Sequence, residues 1–124
     1  MATRVSIPDV RAAALAYFDG LAKKNVSAVP WAENATLCTS LNPNGGEDTL
    51  IRGRASIQEF FVPLLPNLGE IEVLRTFIDG DWVLVRARVA LGNGKALRVL
   101  DAFRIQNGKI VEQENFYDPR PALG

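Results

Sequence analysis

A carboxylic acid in the C-terminal third of the sequence has apolar neighbours at alternating positions. Residues 99–105 read VLDAFRI, and the alternation of a strand places Val99, Asp101, Phe103 and Ile105 on one face. A carboxyl group in such surroundings loses hydration, which raises its pKa and keeps it protonated. The protonated acid can donate a hydrogen bond to an oxygen atom that gains negative charge, so Asp101 is a candidate catalytic residue. The alternatives are an ion pair with an arginine or a side chain that faces solvent.

The last predicted strand carries a second group of polar candidates. Gln113, Asn115 and Tyr117 share one face, while Glu112 and Glu114 share the other. Glutamates favour water or an interface rim, so the face with the amides is the better candidate for a cavity. There its side chains would orient a ligand. The alternative is a ladder of satisfied hydrogen bonds between strands.

Two arginines, Arg86 and Arg88, lie on one face of a predicted strand at residues 82–91. The opposite face is apolar and consists of Val83, Val85, Ala87, Val89 and Leu91. The arginines therefore face solvent or a subunit interface, or they point inward as ligand-binding residues. An inward arginine would need Asp101 or an anionic ligand, because an unpaired buried charge is very costly.

The composition of the 124-residue chain excludes several kinds of site. It has no histidine, which removes the commonest general base and the commonest metal ligand. Its net charge is zero, so we expect no nucleic-acid binding through phosphate neutralisation. We find no metal-ligand spacing and no phosphate-binding glycine loop, and we expect no cofactor. Cys38 is the only cysteine, and nothing in the sequence supplies an imidazole to activate it as a nucleophile.

The same features favour a cytoplasmic protein. A single cysteine excludes an internal disulfide. No stretch approaches the roughly 18 apolar residues of a membrane span. The N-terminus lacks the basic-then-apolar order of a signal peptide, so we expect no membrane partner.

The pattern along the chain predicts helix, strand, strand, helix and then four antiparallel strands. Ser6 is a candidate cap for a first helix that runs to about residue 24, with a weak helical turn at residues 26–29. Strands are predicted at residues 31–41 and 49–52 around a loop at 42–46. A second helix follows at 54–61, and strands follow at 69–79 and after the turn at 79–81. Asn-Gly pairs in the later connections are strong hairpin signals, because both central positions tolerate φ > 0.

This order predicts one α+β domain spanning residues 1–124. A curved antiparallel sheet would wrap round the N-terminal helices and leave a cone-shaped cavity. Leu100, Ala102 and Phe116 would then lie on the outer face of the sheet, and an exposed apolar face suggests an interface. We therefore expect a homodimer with a small apolar molecule in the cavity.

The chain resembles the NTF2-like (cystatin-like α+β barrel) superfamily, and its SnoaL-like branch in particular. The resemblance spans nearly the whole chain. It is carried by Tyr17-Phe18, by Gly53-Arg54 and by the segments VLDAFRI at 99–105 and NGKIV at 107–111. Relatives include Δ5-3-ketosteroid isomerases, limonene-epoxide hydrolases, scytalone dehydratases, polyketide cyclases and binding domains, so the fold does not select a function.

The resemblance implies roles for individual residues. Tyr17 and Asp101 occupy positions similar to the oxyanion-binding tyrosine and acid of the ketosteroid isomerases, a mechanism worked out for that enzyme. The carboxylate base of that family would fall near Thr39, and a threonine cannot abstract a proton next to a ketone. Arg86 is similar to the arginine of the epoxide hydrolases, but Arg88 and Asn115 stand where their two acids would be.

Two functions from different classes follow from these residues. One is a cofactor-independent isomerase, cyclase, dehydratase or hydrolase acting on an apolar, oxygen-bearing molecule. The other is a non-catalytic binder with the same pocket, and an interaction domain with a filled cavity is a third. Trp31 and Trp82 are predicted packing residues, and several phenylalanines either line the cavity or fill it: Phe18, Phe60, Phe61, Phe77 and Phe103.

Overall fold

A computed structural model of the protein describes residues 7–39, 49–118 and 120–123. The helices are α1 (Ile7–Ala22), α2 (Arg54–Phe61) and α3 (Arg120–Leu123), with 3-10 helices at Val26–Ala28 and Val62–Asn67. The strands are β1 (Trp31–Thr39), β2 (Thr49–Arg52), β3 (Leu68–Asp79), β4 (Trp82–Leu91), β5 (Ala96–Gln106) and β6 (Lys109–Tyr117). The predicted order of elements is confirmed. The cap at Ser6, the strand end at Leu41 and the loop at 42–46 lie outside the described residues.

The six strands form one sheet in the order β2-β1-β6-β5-β4-β3, and the predicted α+β class is confirmed. Within the run β3 to β6, consecutive strands pair antiparallel, as predicted. Strand β1, however, pairs with β6 in parallel, so the sheet is mixed. Six elements of secondary structure separate β1 from β6, and parallel neighbours require a long connection of this kind.

Helix α1 forms because its apolar residues recur at helical spacing. The predicted stripe is buried throughout and consists of Val10, Ala14, Tyr17, Phe18 and Leu21. Helix α1 packs on the inner face of β3 to β6, where Val83, Val85 and Phe103 are fully buried. Among the described residues, no helix is both long enough and apolar enough to cross a membrane.

A bulge in β3 reverses which side chains face the helices. Val73 lies opposite Ala87, but Arg75 lies opposite Arg86, so Leu74 is an extra residue in the ladder. The inner face therefore holds odd-numbered residues before the bulge, Ile71 and Val73, and even-numbered residues after it, Thr76 and Ile78. An uninterrupted alternation, as the sequence suggests, would have placed Ile71, Val73, Arg75 and Phe77 together.

The turn between β5 and β6 has the backbone that its sequence predicts. Asn107 has φ 53° and Gly108 has φ 74°. Two consecutive positive φ values are required by the type I′ hairpin turn, for which Asn-Gly is the preferred pair. This turn pairs Gln106 with Lys109 and Ile105 with Ile110, and a bulge at Val111 then shifts the register by one residue. Gln113 consequently lies opposite Phe103, and Asn115 lies opposite Asp101.

The end of α1 depends on a close backbone approach at Gly20. A Cβ atom added at Gly20 would lie 2.6 Å from Cγ2 of Val29 and 3.0 Å from the backbone oxygen of Asn25. The helix stops because Lys24 adopts φ 58°, while the amides of Lys24 and Asn25 donate to the carbonyl oxygens of Leu21 and Gly20. These two hydrogen bonds form a Schellman motif with a lysine at the position that usually holds glycine.

We expect Gly20→Ala to destabilise the protein by about 1–3 kcal/mol, because the new methyl group overlaps Val29. In an open helix the same change would stabilise by about 0.5–1 kcal/mol. Urea denaturation of Gly20→Ala, Val29→Ala and the double variant gives the coupling energy. We expect the double variant to lose less stability than the sum of the single changes, whereas additive effects would mean that the contact is not tight.

Candidate functional site

A pocket of about 70 Å³ lies between α1, α2 and the inner face of the sheet. Most of its wall is apolar and comes from all parts of the fold: Phe18, Leu21, Phe60, Phe61, Leu64, Leu68, Val89, Leu97 and Val99. Aromatic rings occupy much of the space below it, since Tyr17 contacts Phe18 and Phe103 with ring centroids 4.8 and 5.3 Å apart. The pocket is therefore small because the aromatic side chains fill the rest of the interior.

The polar part of the pocket wall consists of five side chains: Tyr17, Thr39, Asp101, Asn115 and Tyr117. They come from α1, β1, β5 and β6, and each was singled out from the sequence. The register of the sheet explains why they meet. Asp101 lies opposite Asn115 across β5 and β6, and Asn115 lies beside Thr39 across the parallel pair of β6 and β1. Their roles in binding or catalysis stay predictions.

Asp101 is buried, and no counter-ion accompanies it among the residues that the structure describes. Its side chain is 1% exposed, and its Oδ1 atom has no hydrogen-bond partner among the described residues. Burial raises the pKa of Asp101 well above its ordinary value. No lysine or arginine of the described side chains is buried, so none can compensate a carboxylate here. The carboxyl group therefore keeps its proton under conditions in which an exposed aspartate would be ionised.

A chain of hydrogen bonds runs beneath the pocket from β1 through β6 to α1. Nε1 of Trp31 donates to Oε1 of Gln113 at 2.8 Å. Nε2 of Gln113 donates to Oδ1 of Asn115 at 3.4 Å, and Nδ2 of Asn115 donates to the hydroxyl oxygen of Tyr17 at 3.3 Å. All four side chains are buried. The chain satisfies two buried amides and joins the pocket wall to the packed core.

Both tyrosines in the pocket keep their hydroxyl protons. Burial raises the pKa of Tyr17 well above its ordinary value, and the nearby Asp101 raises it further, while hydrogen bonds with Asn115 and Gln113 partly offset this. Burial also raises the pKa of Tyr117, which a hydrogen bond with Thr39 partly offsets. With Asp101 protonated, the pocket wall offers several neutral hydroxyl groups and no charge.

Four of the nine predicted site residues do not line the pocket. Gln113 and Phe103 are buried beneath it, at 1% and 0% exposure. Arg86 and Arg88 are exposed on the outer face of β4, so their placement among the pocket residues is wrong. The physical reason is the apolar run Val83, Val85, Ala87 and Val89, which takes the inner face and leaves the arginines in water.

Sequence analysis missed one residue of the hydrogen-bond chain and two residues of the pocket wall. Trp31 was predicted only to pack, yet its N–H group begins the hydrogen-bond chain. Leu64 and Leu68, in and after the second 3-10 helix, line the pocket. Nζ of Lys24 donates to the carbonyl oxygens of Leu65, at 2.6 Å, and Leu68, and so ties the end of α1 to that segment. These contacts are long-range and leave no local sequence signal.

The pocket can donate hydrogen bonds to an oxygen atom but lacks a strong base. Among the described residues, Asp101 is the only carboxylic acid in its wall, and burial raises the pKa of Asp101 so that it holds its proton. Thr39 lies in the pocket and cannot act as a general base at neutral pH. The arrangement therefore supports recognition or stabilisation of an acceptor oxygen in an apolar setting.

Comparison with known proteins gives a family and a fold. The model of the SnoaL-like domain family matches residues 14–113. No curated protein matches the chain.

Several solved structures share the fold at low sequence identity. An NTF2-like protein of unknown function from Cytophaga hutchinsonii is 21% identical, with 100% of both chains covered and a TM-score of 0.74. A protein from Kribbella flavida, provisionally named a ketosteroid isomerase, is 23% identical over 89% of this chain and 78% of that chain, with a TM-score of 0.72. A de novo designed protein with a curved β-sheet is 19% identical over 94% and 90% of the two chains, with a TM-score of 0.79. At these identities the likeness establishes the NTF2-like fold alone.

The raised pKa of Asp101 makes the free energy of unfolding depend on pH. Above about pH 3.9 the unfolded chain releases this proton while the folded protein keeps it, so the folded state binds more protons and stability falls as pH rises. The loss is at most about 1.4 kcal/mol per pH unit and ends at the raised pKa. We therefore expect the difference in the free energy of unfolding, Asp101→Asn minus wild type, to increase as pH rises from about 3.9 toward the raised pKa. Urea denaturation at a series of pH values measures it.

Asp79→Asn, on the exposed turn between β3 and β4, is the control for removal of one carboxyl group. A stability difference between Asp101→Asn and wild type that does not change with pH would contradict a protonated Asp101 in the folded protein.

Proposed function

The chain belongs to the SnoaL-like family, and from this we propose that it binds a small apolar molecule through an acceptor oxygen of that molecule. Asp101 and Tyr17 donate the hydrogen bonds, and Asn115, Tyr117 and Thr39 orient the ligand. The observation that carries this proposal is the buried carboxyl group of Asp101, which faces an apolar pocket and has no counter-ion among the described residues. A buried polar group without a partner costs stability, and a ligand oxygen would supply the missing hydrogen bond.

The size of the pocket limits the ligand class. Drug-sized ligands occupy pockets of roughly 300–1,000 Å³, whereas this pocket holds about 70 Å³. The ligand we propose is therefore a single small ring or short chain that carries a carbonyl, epoxide or similar oxygen. The apolar wall of Leu21, Phe60, Leu64 and Val89 would contact its hydrocarbon part.

A second candidate is a cofactor-independent enzyme that uses the same donors, such as an isomerase, cyclase or hydrolase. The presence of both Tyr17 and Asp101 in one pocket favours it, because two donors aimed at one oxygen can stabilise an oxyanion. The Kribbella flavida protein that carries an isomerase name supports it through the fold only. Binding is the better supported function, because the described residues of the pocket wall include no group that can readily remove a proton.

Cyclopentanone and methylenecyclopentane are matched probes, since they differ mainly in the acceptor oxygen. We expect the wild-type protein to bind the ketone more tightly in an NMR titration. Asp101→Leu should reduce the ketone-to-hydrocarbon affinity ratio about three- to ten-fold, the effect of one neutral hydrogen bond. Asp79→Leu is the control and should leave the ratio unchanged. An unchanged ratio in Asp101→Leu would contradict the proposed recognition of the oxygen.

The same samples separate the binder from the enzyme. Exchange of the α-protons of cyclopentanone in D₂O, followed by NMR, reports formation of an enol or enolate. Faster exchange with wild type that is lost in Asp101→Leu would favour the enzyme. Tight binding without faster exchange would favour the binder.

A further inference from the structure

We propose that Trp31 and Gln113 are positioning residues that fix the direction in which the hydroxyl group of Tyr17 donates, so that its proton is directed toward the pocket. The part that concerns the ligand rests on the proposed function. The part that concerns the hydroxyl group stands on the hydrogen-bond chain alone.

The indole group of Trp31 sets the donor-to-acceptor direction of the whole hydrogen-bond chain. An indole N–H group can only donate, so the group that meets it at 2.8 Å must be the oxygen atom of Gln113. The NH₂ group of Gln113 is then on the side of Asn115, whose oxygen atom accepts from it. The NH₂ group of Asn115 is consequently the group that meets the oxygen atom of Tyr17.

Tyr17 therefore accepts from Asn115 and cannot donate to it. Its single proton must point elsewhere, and the neighbouring open volume is the pocket that Tyr17 and Asp101 both line. In the described part of the chain, the Oδ1 atom of Asp101 has no hydrogen-bond partner, so Tyr17 does not donate to it. Both protons are thus available to one acceptor atom of a ligand.

Burial makes this direction hard to reverse. Trp31, Gln113, Tyr17 and Asn115 are exposed by 0%, 1%, 3% and 8%. Turning either amide would place two oxygen atoms or two NH₂ groups against each other, and water has little access to replace the lost bonds. In a low-dielectric interior an unsatisfied polar group is costly, so the four side chains keep one orientation together.

With both protons directed into it, the pocket discriminates between ligands by whether they carry an acceptor oxygen. Ligands with a bare acceptor oxygen, such as ketones, aldehydes, epoxides and oxyanions, can receive both protons. A hydrocarbon of the same shape receives none. The discrimination depends on Trp31 and Gln113, which touch no ligand.

The experiment uses Trp31→Phe, which removes the N–H donor and keeps an aromatic ring against Phe61. In the ligand-free wild-type protein we expect an NOE between the side-chain NH₂ protons of Asn115 and the ring protons of Tyr17. We expect Trp31→Phe to weaken or abolish it, because the amides are then free to turn. Trp82→Phe, at the half-buried tryptophan at the start of β4, is the matched control and should keep the NOE.

Gln113→Met provides a second variant in case Trp31→Phe does not fold, and it should lose the same NOE. In either variant the cyclopentanone-to-methylenecyclopentane affinity ratio should fall about three- to ten-fold while the hydrocarbon affinity changes little. A loss of packing alone would lower both affinities. Retention of the NOE in the folded variants would overturn the proposed relay, and this readout decides even if neither probe binds.

Discussion

The desolvation of one carboxyl group is the constraint on which the rest of this site depends. Asp101 lies under α1 on the inner face of β5, among apolar and aromatic side chains. Moving an ionised carboxylate into such a place without a counter-ion is prohibitive, so the group stays neutral and becomes a donor. Every neighbouring feature is consistent with this neutral state, from the outward arginines to the hydroxyl groups of Tyr17 and Tyr117.

The aromatic packing determines how much room this donor has. Trp31 stacks on Phe61 with ring centroids 5.6 Å apart and an interplanar angle of 10°, and Phe18 meets Phe103 edge to face. These contacts fill the lower part of the space between the helices and the sheet. They also bring the indole N–H of Trp31 within reach of Gln113, so one side chain both packs the core and begins the polar chain. A change in the aromatic packing of Trp31 would therefore also change the hydrogen bond that it donates to Gln113.

Local patterns in the sequence were enough to predict most elements and to select Asp101, Asn115 and Tyr117 as candidate pocket residues. Tyr17 and Thr39 were selected through the family resemblance. Alternation in β5 and β6 placed Asp101 and Asn115 inside, and their pairing results from the Asn-Gly turn together with a bulge at Val111. Two features escaped because they are not local. The parallel pairing of β1 with β6 brings Trp31 to Gln113, 82 residues away, and the bulge at Leu74 breaks the alternation of β3 without a glycine or proline to mark it.

The arginines show a third limit of sequence reasoning. Both orientations of Arg86 and Arg88 were chemically reasonable, because an inward pair could have been neutralised by Asp101. The tertiary structure decides between them through the apolar run on the other face of β4, which is buried and leaves Asp101 without a cation. The burial of the apolar face of β4 therefore has two consequences. It leaves Arg86 and Arg88 exposed, and it leaves Asp101 protonated.

Strands β5 and β6 connect the two surfaces of the sheet. Asp101 and Asn115 project toward the pocket, and Leu100 and Phe116, one residue away in each strand, project outward. Because successive side chains of a strand point to opposite faces, any partner that packs on Leu100 and Phe116 also restrains the backbone that holds Asp101 and Asn115. Under the proposed function, the donors need a fixed position to discriminate between an acceptor oxygen and a hydrocarbon, and the packing of β5 and β6 against α1 helps to provide it.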